Sequence, residues 1–210
     1  MSQLKLSMLR ARGFDFDLQL VLLQGWQMFL KQPLYSMAFT MLIFSLQFVF
    51  YFYAQPFAFV YSVLFAPPLF TGYYLIANRI SLGLPVIYPD FFGGFKFMTP
   101  AVLIWLVGQL LTGVGLLLLL IPGIYLMVAY SFSVLMAVFG GFDFWTAMEE
   151  SRKLITARWW KFFVFTLILI AINLAGALLY LIGLLVTVPV SFYATYVLFE
   201  TLTKDSLAES

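Results

Sequence analysis

The stretch FMTPAVLIWLVGQLLTGVGLLLLLIPGIYLMVAYSFSVLMAVFGGF, residues 97–142, contains no Asp, Glu, Lys, Arg or His. A single helical crossing of a bilayer takes ~20 residues, so the run is too long for one span and the right length for two. Two further charge-free runs flank it, residues 32–78 and 162–199. Each reads as a hairpin of two membrane helices. The charged residues fall in the segments between and outside them, at residues 5–31, 79–96, 143–161 and 200–209. The outer turns of all three hairpins carry no charge.

Composition agrees with lipid as the solvent. Of 210 residues, 64% are hydrophobic and 10% charged, where a soluble domain carries about 25% charged residues. The net charge of +2 is too small to suggest a nucleic-acid partner. Its placement says more than its sum. All eleven Lys and Arg lie between hairpins or in the tails, and such segments belong on the cytoplasmic side by the positive-inside rule. Six crossings then put both termini inside, as expected for a multi-pass membrane protein. With no Cys and no His, structural disulfides, thiolate chemistry, His-ligated haem and ordinary zinc sites are excluded. No cofactor and no metal is expected. The first ten residues, MSQLKLSMLR, lack the apolar core and small-residue cleavage site of a signal peptide, so the start is expected to be retained.

The expected spans are residues 34–54, 57–81, 98–120, 123–139, 161–181 and 184–201. Gln55-Pro56, Pro122-Gly123 and the Gly183 region before Pro189 mark the reversals, because Pro removes a backbone donor and Gly frees the backbone. Pro67-Pro68 and Pro189 fall inside spans and should kink them. The fold class is therefore all-α integral membrane, with six transmembrane helices in three hairpins and interfacial amphipathic helices on the cytoplasmic side. The chain reads as one membrane domain over 1–210. It comprises a cytoplasmic segment 1–33 with an amphipathic helix, hairpin 1 at 34–81, hairpin 2 with its lead-in at 82–140, an amphipathic helix and hairpin 3 at 141–203, and a cytoplasmic tail 204–210.

Each hairpin has a similar lead-in: Gly25-Trp-Gln-Met-Phe-Leu-Lys31, Phe91-Phe-Gly-Gly-Phe-Lys96 and Ala157-Arg-Trp-Trp-Lys161. Aromatic groups followed by a cation and an apolar run suggest a threefold internal repeat. Two lead-ins are amphipathic. Over 143–158, Phe144, Met148, Ser151 and Ile155 share a helical face, Asp143 can cap the start, and Glu149 precedes Lys153 by four residues. Over 18–31 the stripe is Leu18, Val21, Leu22, Gly25 and Phe29. Both helices are expected at the inner interface, with Trp26, Trp145, Trp159 and Trp160 forming an aromatic belt. Lys96, Arg152, Lys153, Arg158 and Lys161 are the candidates for headgroup contacts, as interfacial anchors.

Four motifs stand in a characteristic order: Asp90-Phe-Phe-Gly-Gly-Phe-Lys96, Ile121-Pro-Gly-Ile124 with Tyr130-Ser-Phe132, Ala147-Met-Glu-Glu-Ser-Arg-Lys153 before Trp160-Lys-Phe162, and Gly183-Leu-Leu-Val-Thr-Val-Pro189 with Tyr193 and Tyr196. In these the chain resembles the bacterial polytopic membrane proteins related to the membrane domain of glycerophosphoryl diester phosphodiesterases. The resemblance covers roughly residues 89–200 and extends to the first hairpin by pattern only. It implies a six-helix inner-membrane protein. Some relatives carry a soluble phosphodiesterase barrel after the membrane part, and here only about ten residues follow the last span. The family name therefore implies no activity for this chain, and no catalytic residues carry over.

Ionisable groups deep in a bilayer mark functional sites, because each costs about 2.5–3.5 kcal/mol to insert. None is expected near a midplane here, which counts against an ion-coupled carrier. Arg79 and Glu200 sit at inner ends, where snorkelling hydrates them. The remaining polar candidates are Gln47, Gln109 and Asn173, each inside the first helix of a hairpin. They could line a polar path or bind a lipid headgroup, or they could serve as interhelical hydrogen bonds. Ala129, Ser133 and Ala137 form a small-residue stripe for close helix packing, within the chain or with a partner. Glu149 and Glu150 point about 100° apart on a helix, and solvated caps and ion pairs account for them better than a metal cluster with Asp90 and Asp143. No catalytic constellation is present, so no enzyme is expected. Two readings follow: a non-enzymatic membrane subunit or scaffold that assembles with other membrane proteins or with itself, and a lipid or small-solute transporter or channel. Membrane lipids are partners in either case.

Overall fold

The computed structural model describes residues 3–179 and 181–207. The end of the expected cytoplasmic tail, residues 208–210, lies outside the described residues. The described chain is α-helical and contains six helices long and apolar enough to cross a membrane: Pro33–Phe52, Gln55–Ser81, Tyr88–Leu118, Leu120–Gly140, Trp159–Leu178 and Leu184–Lys204. The protein is an all-α, multi-pass membrane protein.

Helix α1 (Gln3–Arg12) is not signalled by the sequence pattern, yet its Leu6 is fully buried. It ends at Gly13, whose φ of +71° is the left-handed cap that glycine adopts at low cost. The next residues alternate: Phe14 and Phe16 are buried, Asp15 and Asp17 exposed. Helix α2 (Leu18–Lys31) buries Val21, Gly25 and Phe29 of the expected stripe and half-buries Leu18 and Leu22. Helix α3 (Pro33–Phe52) opens on Pro33, where a missing N–H costs nothing.

The second span is composite. A 3₁₀ turn (Gln55–Phe57), the short helix α4 (Ala58–Val60), a π-turn (Tyr61–Phe65) and α5 (Ala66–Ser81) run on as one rod. Pro67 and Pro68 lack the donors that would close the preceding turn, and the widened π-turn absorbs the misfit. A ten-residue 3₁₀ helix follows at Tyr88–Phe97. Three residues per turn put Tyr88, Phe91, Gly94 and Phe97 on one face; of these, Phe91 and Gly94 are buried against α5.

Helix α6 (Met98–Leu118) leads to a reversal that differs from the expected one. The chain breaks at Leu119, which is extended at φ −157° and ψ 131°, and Pro122-Gly123 lie in the first turn of α7 (Leu120–Ala129). Pro is tolerated there because first-turn N–H groups have no helical partner. A turn at residues 130–132 separates α7 from α8 (Ser133–Gly140). Helix α9 (Phe144–Thr156) starts as expected, with Asp143 accepting from the Trp145 and Thr146 amides at 3.1 Å each. Helices α10 (Trp159–Leu178) and α11 (Leu184–Leu207) form the third pair, with Pro189 inside α11. At the tips of hairpins 2 and 3, glycine backbones nearly touch: a Cβ on Gly115 would lie 3.0 Å from Gly123, and one on Gly183 would lie 2.6 Å from Gly176.

Contacts divide the chain into two compact units. One comprises Met1–Asp17, Thr99–Leu167 and Leu198–Ser210; the other comprises Leu18–Met98 and Ile168–Val197. This division does not follow hairpin order, because α10 and α11 contribute residues to both. In the first unit the core gathers Phe132, Phe162 and Phe199, with ring centroids 5.5 Å apart from Phe132 to each of the others. Phe14 and Phe16 pack on Phe162. The second unit is cored by Phe39, Tyr73, Phe91 and Tyr193. Four of its buried hydroxyls are matched in pairs: Ser36 Oγ with Tyr193 OH at 2.7 Å, and Thr40 Oγ1 with Tyr73 OH at 2.6 Å. Such pairs remove the penalty of an unsatisfied polar group in an apolar core.

Candidate functional site: the polar cavity beside Arg79 and the charged helix α9

A polar cavity of the second unit lies where α5 ends. Its volume is about 510 Å³, and Leu75, Asn78, Arg79, Asp90, Phe92 and Lys96 are on its walls. Glycines bring the two walls together. A Cβ on Gly72 of α5 would lie 2.0 Å from the Phe91 carbonyl oxygen, and one on Gly94 would lie 2.0 Å from the Pro68 carbonyl oxygen. No side chain fits at either position, so the 3₁₀ helix rests on α5 backbone to backbone. Arg79 is thereby held next to Asp90, with Nε 3.3 Å from Oδ2. Arg79 Nε and Nη2 also donate to the Pro85 carbonyl at 3.2 and 2.7 Å. The Ile87 amide donates to Asp90 Oδ2 at 2.9 Å. Tyr196 donates to Asn78 Oδ1 at 2.9 Å. Lys96 is exposed, and none of the ion pairs among the described residues engages it.

In the first unit a charge network surrounds α9. Glu150 is 2% exposed, so of the expected solvated caps and ion pairs only the ion pairs apply to it. It accepts from Arg10 Nη1 at 2.7 Å and pairs with Lys153 Nζ at 3.0 Å. Arg10 comes from α1, 140 positions away, so the buried carboxylate fastens the N-terminal helix to α9. Glu149 takes a two-bond clasp from Arg152, both at 2.8 Å, and approaches Lys153 at 3.6 Å. That clasp holds the Glu149 carboxyl below its ordinary range. Lys161 pairs with Asp15 and lies 5.0 Å from the Phe16 ring centroid, and its hydrogen bond lowers the Asp15 pKa. Three of the five expected headgroup cations, Arg152, Lys153 and Lys161, are thus engaged by carboxylates. Arg158 is exposed beside Trp159.

The mid-span candidates separate. Asn173 donates from Nδ2 to Ser191 Oγ at 2.7 Å and to the Leu169 carbonyl at 2.8 Å, tying α10 to α11. Gln47 is half-buried on the wall of an apolar groove of about 720 Å³ that also takes in Met41, Phe48, Phe52, Ile182 and Leu185. Gln109, in the other unit, is exposed. Ala129, Ser133 and Ala137 are all buried. The turn at 130–132 divides them between α7 and α8, and α9 packs along both. Ser151 Oγ completes that packing by donating to the Ala129 carbonyl at 2.7 Å and accepting from the Phe132 amide at 3.2 Å. Among the described residues no group of three metal-ligating side chains occurs.

The cavity beside Arg79 is not legible as a site in the sequence, which marks Arg79 as a snorkelling residue, Lys96 as a headgroup contact and Asp90 as the first residue of a motif. The available signal was the pair of small residues, Gly72 and Gly94, on segments otherwise filled by aromatics. Comparison of the chain with protein-family models, with curated proteins and with solved structures finds no match.

Proposed function

We propose that this protein is a non-enzymatic membrane subunit or scaffold, which assembles through its spans with other membrane proteins or with a second copy of itself. Gln109 carries the reading. It lies eleven residues after Met98 in the 21-residue helix α6 and is exposed there. Hydrocarbon offers an outward-facing carboxamide no hydrogen bond, whereas a partner helix does. Gly108 and Gly113, next to it and one turn on, have open space where side chains would be, so another backbone can approach closely. The competing reading, a lipid or small-solute transporter, would be served by Gln47, Gln109 and Asn173 lining one polar path. Asn173 is committed to Ser191, and Gln109 faces outward.

The same proposal places the chain in a bacterial cytoplasmic membrane with both termini inside, and in kinship with the membrane domain of glycerophosphoryl diester phosphodiesterases. Extraction of tagged protein into native-lipid nanodiscs, followed by mass spectrometry, tests assembly. A stoichiometric protein partner or a dimer that is lost in Gln109→Leu supports it; bare monomer under gentle extraction refutes it. Orientation is read separately, from single cysteines in this Cys-free chain. An impermeant thiol reagent applied to intact cells should label Gln55→Cys and spare Ala157→Cys, and the reverse would overturn the orientation.

A further inference from the structure

The cavity beside Arg79 has the chemistry of a phosphate site at a membrane rim. Two cations, Arg79 and Lys96, share it with one carboxylate, Asp90. That carboxylate is already engaged by the Arg79 guanidinium and by the Ile87 amide, which leaves the cavity with a surplus of one positive charge. Arg79 is also fixed in place: its two bonds to the Pro85 carbonyl and its contact with Asp90 remove the rotamer freedom that a free surface arginine would lose on binding. Asn78 gives up its carbonyl oxygen to Tyr196, so its remaining function in the cavity is as an N–H donor. All three groups thus suit one acceptor-rich anion.

The rest of the cavity says where that anion comes from. Leu75, Phe92 and Phe97 supply apolar wall beside the charges. The site lies at the end of the span Gln55–Ser81 and the beginning of the span Tyr88–Leu118, the depth at which glycerol and phosphate meet acyl chains. A small soluble anion would use only the charged part. A phospholipid would use both, with its phosphate on the cations and its glycerol and first methylenes on the apolar wall. Basic pockets at the ends of spans bind anionic headgroups on this principle.

We propose that this cavity binds the phosphate of an anionic phospholipid, with Lys96 and Arg79 as its cations and Asn78 as a neutral donor. The proposal is independent of protein assembly. The test is native mass spectrometry of the purified full chain, titrated with phosphatidylglycerol in the presence of phosphatidylethanolamine. One phosphatidylglycerol should be retained preferentially. Lys96→Gln should weaken its retention about five-fold, the factor for one cation near a charged lipid surface, while Lys96→Arg should retain it. Lys96 is exposed, so both variants keep the fold, and unchanged melting of the apo protein verifies that. Arg79→Gln removes the second cation and also frees Asp90, so it should abolish retention. Equal retention by wild type and Lys96→Gln, or equal binding of the two lipids, overturns the proposal. A parallel arm adds inorganic phosphate as competitor. Displacement of the lipid by millimolar phosphate would show that a free anion is the ligand and would overturn the lipid assignment; persistence of the lipid supports it.

Discussion

Replacing Gly72 by alanine should loosen the protein far more than one methyl group suggests. The added Cβ would stand 2.0 Å from the Phe91 carbonyl oxygen and 3.1 Å from its carbonyl carbon. Ordinary van der Waals contact begins near 3.4 Å, so α5 and the 3₁₀ helix must separate by about 1.4 Å. The obstacle is backbone, which leaves no rotamer to turn aside. Overpacking of this kind costs about 1–3 kcal/mol, and the upper value applies here. For a chain of this size, ~3 kcal/mol corresponds to a fall in melting temperature of roughly 6–12 °C. The same displacement would stretch the Arg79–Asp90 contact, now 3.3 Å, past ion-pair range, and lipid retention should fall with it. The assay is the apparent Tm of purified protein in nanodiscs. A Gly72→Ala protein that melts with wild type would refute the backbone contact and the reasoning built on it.

Three other outcomes follow from the charge and hydroxyl networks. Arg10→Met leaves buried Glu150 with Lys153 alone, and should cost about 1–3 kcal/mol; hydrogen exchange should accelerate in Gln3–Arg12 before it does in the spans. Ser191→Ala removes the partner of Asn173 and should cost ~0.6–2 kcal/mol of stability, measurable as a lower Tm without loss of assembly. Acid should loosen the first unit. Glu149, Asp15 and Asp143 all have lowered pKa values, through Arg152, through Lys161, and through Thr146 together with the start of α9. Depressed carboxylates stabilise above their ordinary values of 4.5 for Glu and 3.8 for Asp, and that stabilisation is lost as pH falls through the lowered folded values. Tm should therefore hold down to about pH 5 and drop below pH 4, and Asp143→Asn should flatten part of the drop.

What the sequence revealed and what it hid have physical causes. Long apolar runs have one solution in a bilayer, so the spans were legible to within a few residues. Helix α2 and the Asp143 cap were legible because periodicity and capping are local. The reversal at Leu119 was not, because Pro122-Gly123 looks like a break and yet fits the first turn of α7. Glu150 was misjudged for a different reason. The sequence assigns it to solvated caps and ion pairs, whereas its long-range partner Arg10 comes from a helix too polar to signal itself and joins Lys153 in offsetting the burial. The cavity beside Arg79 depends on a contact between Gly72 and Phe91 that no local pattern announces. The three carboxamides were legible as polar residues within spans, but which way each would face depended on how the helices pack.

The arrangement of charge has an electrical consequence. The centres of the six spans contain no Asp, Glu, Lys or Arg; those residues that fall within a span lie near its end. Polar pairing within the spans is done by neutral groups, such as Ser36 with Tyr193 and Asn173 with Ser191. A unit charge carried across the bilayer gains or loses about 2.3 kcal/mol per 100 mV, and these spans have none to carry. Depolarising or energising the membrane therefore finds no side-chain charge at the centres of these helices on which to act.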